Sequence, residues 1–207
     1  MKKALFTFMG SGTSRGVPTL CCDCEVCQSK DPRDRHTRSS GLVTVGETRI
    51  LIDCGPDLRE QLLREHVTGL DAVCLTHPHC DHLDGLDDLQ GLTVFSRQEL
   101  PFYSSEENLR VVHERFGYVD QLKYLSDGSP RWSVPQLSYR AVTEPFDVMP
   151  VPGILGLALR RERSQGRPAE ALPREGGDIR LQNRLPCIHL RLQQNPRRDI
   201  RAARGCD

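Results

Sequence analysis

The chain has 207 residues, 28 basic against 28 acidic side chains, seven histidines and nine cysteines. That length suits one domain with a sizeable core, and the lack of any run of 18 apolar residues excludes a membrane-spanning helix. The zero net charge hides an asymmetry: residues 1–150 hold 16 Lys and Arg against 22 Asp and Glu, whereas residues 151–207 hold 12 Arg against 6 acids, with no Lys and no aromatic residue.

Ala4 to Met9 reads as a first strand. Its apolar run is too short for a signal peptide and is interrupted by Gly10-Ser11-Gly12. Nine cysteines without a secretory signal point to the cytoplasm, and to metal binding or free thiols rather than disulfides. The loop Gly10 to Pro18 has the glycines of a tight turn. A phosphate-cradling role stays open beside that, but no Gly-Lys-Ser/Thr ending follows, so a nucleotide P-loop is not expected.

Next comes Cys21-Cys22-Asp23-Cys24-Glu25-Val26-Cys27. At C-x-C-x2-C spacing, Cys22, Cys24 and Cys27 can close on one tetrahedral structural zinc with one further ligand. Cys21 stands off that spacing, though it could substitute. Ser29 to Ser40 is polar loop, where His36 among Arg33, Arg35 and Arg38 reads as a solvated residue. Ser39 to Val45 and Thr48 to Ile52 read as a hairpin turned at Gly46-Glu47 and ending at Asp53. Asp57 to His66 is a short amphipathic helix with Leu58, Leu62 and Leu63 on one face, and His66 is structural there.

The apolar run Ala72-Val73-Cys74-Leu75 predicts a short buried strand ending in Thr76. It delivers His77-Pro78-His79-Cys80-Asp81-His82, three imidazoles and a carboxylate within six residues. Imidazole nitrogen and carboxylate oxygen suit zinc, manganese or iron. His77 and His79 can hold one ion, and Asp81 and His82 a second. Two such ions suit hydrolysis of a phosphodiester or an amide, because they generate hydroxide at neutral pH and clamp a charged transition state.

Leu86 and Leu89 then face inward at helical spacing, with Asp84, Asp87 and Asp88 on a solvated first turn. Leu100 to Tyr103 is a strand. Ser104 opens a helix that runs to about Arg115 and ends at Phe116-Gly117-Tyr118, with His113 on the surface. Residues 131–151 predict two or three strands of a second sheet.

With its HxHxDH run after a strand and its C-x-C-x2-C run after Gly16-Val17-Pro18, the chain resembles the metallo-β-lactamase-fold hydrolases over roughly residues 4–150. It looks most like the branch containing the phosphonate-operon cyclic-phosphate phosphodiesterase and, more distantly, the tRNA 3′-processing ribonucleases. The resemblance implies an α/β fold, the αββα four-layer sandwich, and a dinuclear site holding two divalent ions, Zn or Mn. It implies that Asp53 supports the metal-site histidines and that Asp81 assists the nucleophile or proton transfers. The implied substrate is a small phosphodiester, cyclic ones included. Two alternatives compete: a nuclease acting on RNA ends, which would need a basic exosite that acidic residues 1–150 do not offer, and a truncated, non-catalytic zinc-binding protein. A membrane partner is not expected, and homodimerisation stays open.

After Val151 the resemblance stops. The family has a His-Gly, a strand-ending Asp and a final His, whereas Leu155 stands about where the first His belongs. Asp178, His189 and Asp199 are weak later candidates in Arg-rich surroundings. Residues 1–153 therefore read as the N-terminal part of the hydrolase domain and 154–207 as an atypical, weakly structured tail that leaves the fold incomplete. A frameshifted coding sequence, a truncated paralogue with one damaged metal site and an Arg-rich extension for RNA compete to explain it.

Overall fold

The computed structural model describes residues 4–143 and 146–148, together with the backbone of two strands at 190–194 and 198–199. Six strands form the main sheet in chain order: β1 (Ala4–Gly10), β2 (Ser40–Val45), β3 (Thr48–Ile52), β4 (Ala72–Cys74), β5 (Leu100–Ser104) and β6 (Leu137–Ala141). The first three pair antiparallel. Gly46, at a φ of 62°, supplies the turn between β2 and β3 that a residue with a Cβ would resist. From β3 onward the pairing is parallel. Parallel strands need crossovers, and helices α2 (Leu58–Arg64), α4 (Leu89–Ser96) and α5 (Glu106–Gln121) lie in them. Strand β4 is central and covered on both faces, so all three of its residues are buried and apolar.

One face of the sheet packs on these helices. Leu51, Val73, Leu75 and Phe102 from the strands and their ends meet Leu58, Leu89, Leu109 and Val112 from the helices. The other face gathers Val43, Ile50, Ile52, Ala72 and Cys74 around Val148 of β7 (Phe146–Val148). β7 opens a second sheet, pairing in parallel with β8 (Leu190–Gln194), which pairs antiparallel with β9 (Arg198–Asp199). The helix, sheet and second-sheet layers of the expected sandwich are thus present.

Two elements differ from the sequence reading. Leu137–Ala141 belongs to the first sheet, not the second: α5 returns the chain beside β5, and five register pairs join it there. Helix α5 does not end at Phe116. It kinks there (φ −118°, ψ 26°) and continues to Gln121, because buried Val119 and the Tyr118 hydroxyl, bonded to Asp87, hold the last turn against the body of the protein. Among the described residues, no helix is long and apolar enough to cross a membrane.

Candidate metal centre

Strands β3 and β4 run parallel, so their carboxyl ends open on the same edge of the sheet, where open α/β sheets bind ligands. Asp53 follows β3 directly in the left-handed region (φ 62°) and is 5% exposed. Asp and Asn tolerate that region better than most residues. Its amide donates to the Cys74 carbonyl, and its own carbonyl accepts from Ser40 Oγ. The carboxylate is thereby aimed across the sheet edge. Oδ1 accepts the Thr76 amide at 2.7 Å, Oδ2 accepts His82 Nδ1 at 2.7 Å, and the Thr76 hydroxyl lies 2.8 and 2.9 Å from the two oxygens.

This one buried carboxylate sets two imidazoles. A carboxylate can only accept, so His82 carries its proton on Nδ1 and turns Nε2 away from Asp53. The single Thr76 hydroxyl proton goes to Asp53, so His77 Nδ1, 3.0 Å from that hydroxyl, must be the donor, and its Nε2 is also left bare. His82 Nε2 then faces Asp81 Oδ2 at 3.2 Å. Two acceptors face each other there, an arrangement satisfied by a further proton on Nε2 or by a cation bound to both. Neutral imidazole and carboxylate are the donors that zinc and manganese take, so this residue set fits a divalent ion.

Helix α3 (Cys80–Leu83), which carries Asp81 and His82, rests directly on the chain after β3. The Cys54 amide bonds the His82 carbonyl (2.8 Å) and the Gly85 amide bonds the Cys54 carbonyl (2.9 Å). Backbones can approach this closely because Gly55 and Gly85 lack side chains. A Cβ on Gly55 would sit 2.0 Å from the Asp81 carbonyl oxygen, and one on Gly85 would sit 2.0 Å from that of Gly55.

The His77 ring lies 4.0 Å from that of His82 and 4.6 Å from that of His79, centroid to centroid. His77 is half-buried, His79 exposed and Asp81 buried. Burial first, and then the His82 charge, hold the His77 imidazolium below the ordinary range, whereas the bond to Asp53 lifts that of His82. The candidate ligands of the turn come together in pairs, Asp81 with His82 and His77 with His79. Among the described residues, the trio whose ligand atoms all fall within 4.8 Å of one another is Cys22, Cys24 and Cys27. Cys24 caps the short helix α1 (Glu25–Gln28), and no fourth ligand joins the trio within that distance among the described residues. The backbone bond from Cys27 and the thiol bond from Cys22 draw the Cys24 thiol down. Cys21, exposed at φ 62°, stays outside the trio.

Other residues sit differently from expectation. His36 is not free in solvent: its Nδ1 lies 3.0 Å from Ser11 Oγ, and its backbone pairs with Val17. His113 is exposed but bonds Asp120 at 2.6 Å and meets the edge of Tyr139. Asp84 and Asp87 are not merely solvated, since Arg115 and Tyr118 of α5 engage them. His66 lies just past the end of α2, at φ 53°. Leu155, Asp178 and His189 lie outside the described residues, and Asp199 ends β9. Sequence reasoning missed Thr76, whose position between the strand and the first histidine was its only signal.

The chain belongs to the beta-lactamase superfamily: the model of the beta-lactamase superfamily domain matches residues 48–169, more than half of the chain. Among solved structures it is similar to a diphosphatase from the PhnP family, at 38% identity and a TM-score of 0.59, covering 69% of this chain and 52% of that one. It is 48% identical over 112 residues to an octanoyltransferase of Porphyromonas gingivalis, which is 54% of this chain but 22% of that protein, most of which lies outside the alignment. To the ribonuclease Z of Archaeoglobus fulgidus it is 41% identical over 89 residues, 40% of this chain and 28% of that protein. The chain thus spans between about a fifth and about half of the length of these relatives.

Proposed function

We propose that the protein is a metal-dependent hydrolase that cleaves small phosphodiesters. The observation that carries this reading is the buried Asp53 carboxylate, bonded to His82 and Thr76, which leaves the outer nitrogens of His77 and His82 bare beside Asp81. His77 and His79 would hold one divalent ion, Zn or Mn, and Asp81 and His82 a second. Cys22, Cys24 and Cys27 would hold a structural zinc away from the chemistry. The divalent ions, when bound, supply Lewis acidity that activates water and neutralises charge on the phosphoryl oxygens.

The chain's own residues do the rest. Asp53 fixes the tautomers of His77 and His82, so neither of these imidazoles must reorient before use. The lowered His77 imidazolium keeps that ring neutral near pH 7, with its lone pair available. Asp81 stands at the edge of the site, where a carboxylate can take the proton released by water and pass it to the leaving oxygen. Similarity to a diphosphatase supports a phosphorus-centred substrate. Similarity to ribonuclease Z supports a second reading, a nuclease on RNA. The acidic balance of residues 1–150 favours a small substrate over a polyanion.

The test is turnover of a chromogenic phosphodiester by the full chain with Mn²⁺ or Zn²⁺ added, beside a labelled RNA and a diphosphate. Diester turnover that falls by more than about 100-fold in His79→Ala, beyond what loss of an outer partner costs, is the expected result. Folded protein with no diester turnover refutes the reading, and cleavage of RNA alone supports the second.

A further inference from the structure

Helix α5 grips the metal-binding turn from outside. Asn108 Nδ2 donates to the Thr76 carbonyl at 3.1 Å, and Arg115 Nη1 donates to the Pro78 carbonyl at 2.9 Å. These carbonyls flank His77 on its two sides. Asn108 and Arg115 are seven residues apart, two turns of helix, so both point from the same face. Each is held by a second bond: Asn108 also reaches Ser104 Oγ, and the other Arg115 nitrogen engages Asp84, the residue that caps α3 after His82. Pro78 has no amide, so its carbonyl is the one main-chain group through which that residue can be fixed. A planar guanidinium can hold the Pro78 carbonyl and the Asp84 carboxylate together, which an ammonium cannot do at fixed geometry.

We infer that Arg115 is a positioning residue for the metal centre. Its fork joins the two ends of the turn, Pro78 between His77 and His79 and Asp84 beyond His82, and so sets the spacing of the ligands without touching metal or substrate. This rests on the reading of the turn as a metal site. Metal-free, the clasp contributes little to the fold, because Arg115 and Asp84 are each 36% exposed and surface ion pairs are weak. Metal-bound, it determines how much the turn must rearrange to satisfy the ion.

The experiment measures Mn²⁺ affinity of the full chain by the free-ion EPR signal, since hard Mn²⁺ prefers the His and Asp donors over the thiolates. Arg115→Met keeps the aliphatic stem and removes the fork, and Arg115→Lys keeps the charge. Melting temperature in EDTA is read alongside. The expected result is an affinity about tenfold weaker in Arg115→Met, partly regained in Arg115→Lys, with the metal-free melting temperature near that of the wild type. Wild-type binding with equal affinity in Arg115→Met overturns the inference. So does a metal-free melting temperature that falls in Arg115→Met with no regain of affinity in Arg115→Lys. Wild-type protein that takes up no Mn²⁺ defeats the metal reading itself, and the inference with it.

Discussion

Asp53→Asn changes one atom of the centre and should reverse a tautomer. The amide keeps the same shape and tolerates the positive φ of position 53, so the backbone stays. Its carbonyl oxygen can still accept the Thr76 amide at 2.7 Å, but its NH2 then replaces the oxygen that accepts His82 Nδ1 at 2.7 Å. Two donors cannot share that contact. His82 answers by moving its proton to Nε2, where Asp81 Oδ2 waits 3.2 Å away. The exchange loses one charge-assisted bond, worth about 1.5–3 kcal/mol, and regains part of it at Asp81, leaving a net loss of about 1 kcal/mol. The effect on metal is larger, because the nitrogen that should bind it now carries a proton. Affinity should fall by about 10- to 100-fold, which is about 1.4–2.7 kcal/mol. Long-range ¹H–¹⁵N correlation on the metal-free protein reads the tautomer directly, and chelator competition reads the affinity. A His82 that keeps its proton on Nδ1 in the variant, or an unchanged affinity, would refute the reasoning.

Three further outcomes follow from other parts of the structure. Gly55→Ala and Gly85→Ala each drive a Cβ to 2.0 Å from a backbone oxygen, where no side chain can yield. Each should destabilise the protein by about 3 kcal/mol or more, and an unchanged urea midpoint would contradict the close approach. Burial, with the Asp53 charge second, pushes the Cys74 thiol up to about 12, and burial lifts Cys54 as well. The reactive form is the thiolate present above the pKa, so at pH 8 iodoacetamide should label exposed Cys80 in the folded protein and reach Cys54 and Cys74 only after denaturation. Mass spectrometry showing Cys74 alkylated as fast as Cys80 would overturn this. Cys24→Ser should remove one zinc per chain from protein purified in zinc while leaving Mn²⁺ uptake intact. Elemental analysis with undiminished zinc would mean that the thiol trio is not a site.

Much of this arrangement is legible in the chain because it is local. The hairpin of β2 and β3, the buried run of β4 and the cluster from His77 to His82 are patterns of a few neighbouring residues, and period and residue type decide them. Asp53 is legible as a carboxylate at the end of a buried strand. What it holds there is not, because Thr76 and His82 lie 23 and 29 residues away. Asn108 and Arg115 are further still, 32 and 37 residues from the carbonyls they grip, and those carbonyls belong to the backbone that every residue shares. No side-chain pattern announces such a bond. Leu137–Ala141 has the alternation of a strand, but alternation does not say which sheet the strand joins. That was decided by α5, which carries the chain back beside β5. The kink at Phe116 hid the length of that helix for a similar reason: the next turn is held by Tyr118 on Asp87, a contact made across the fold.

On the proposed reading of the turn as a metal site, the stacked glycines have a consequence for the speed of metal capture. With Gly85 lying on Gly55 and Gly55 beneath the Asp81 carbonyl, the backbone from Asp81 to Gly85 is packed directly on the chain after β3. Most of the backbone entropy of arranging Asp81 and His82 is lost when the domain folds, before any ion arrives. Uptake at this pair should therefore be governed by the exchange of water on the incoming ion rather than by closure of a loop. Ions that shed water quickly should load faster than sluggish ones of the same charge, in the order of their aqueous exchange rates.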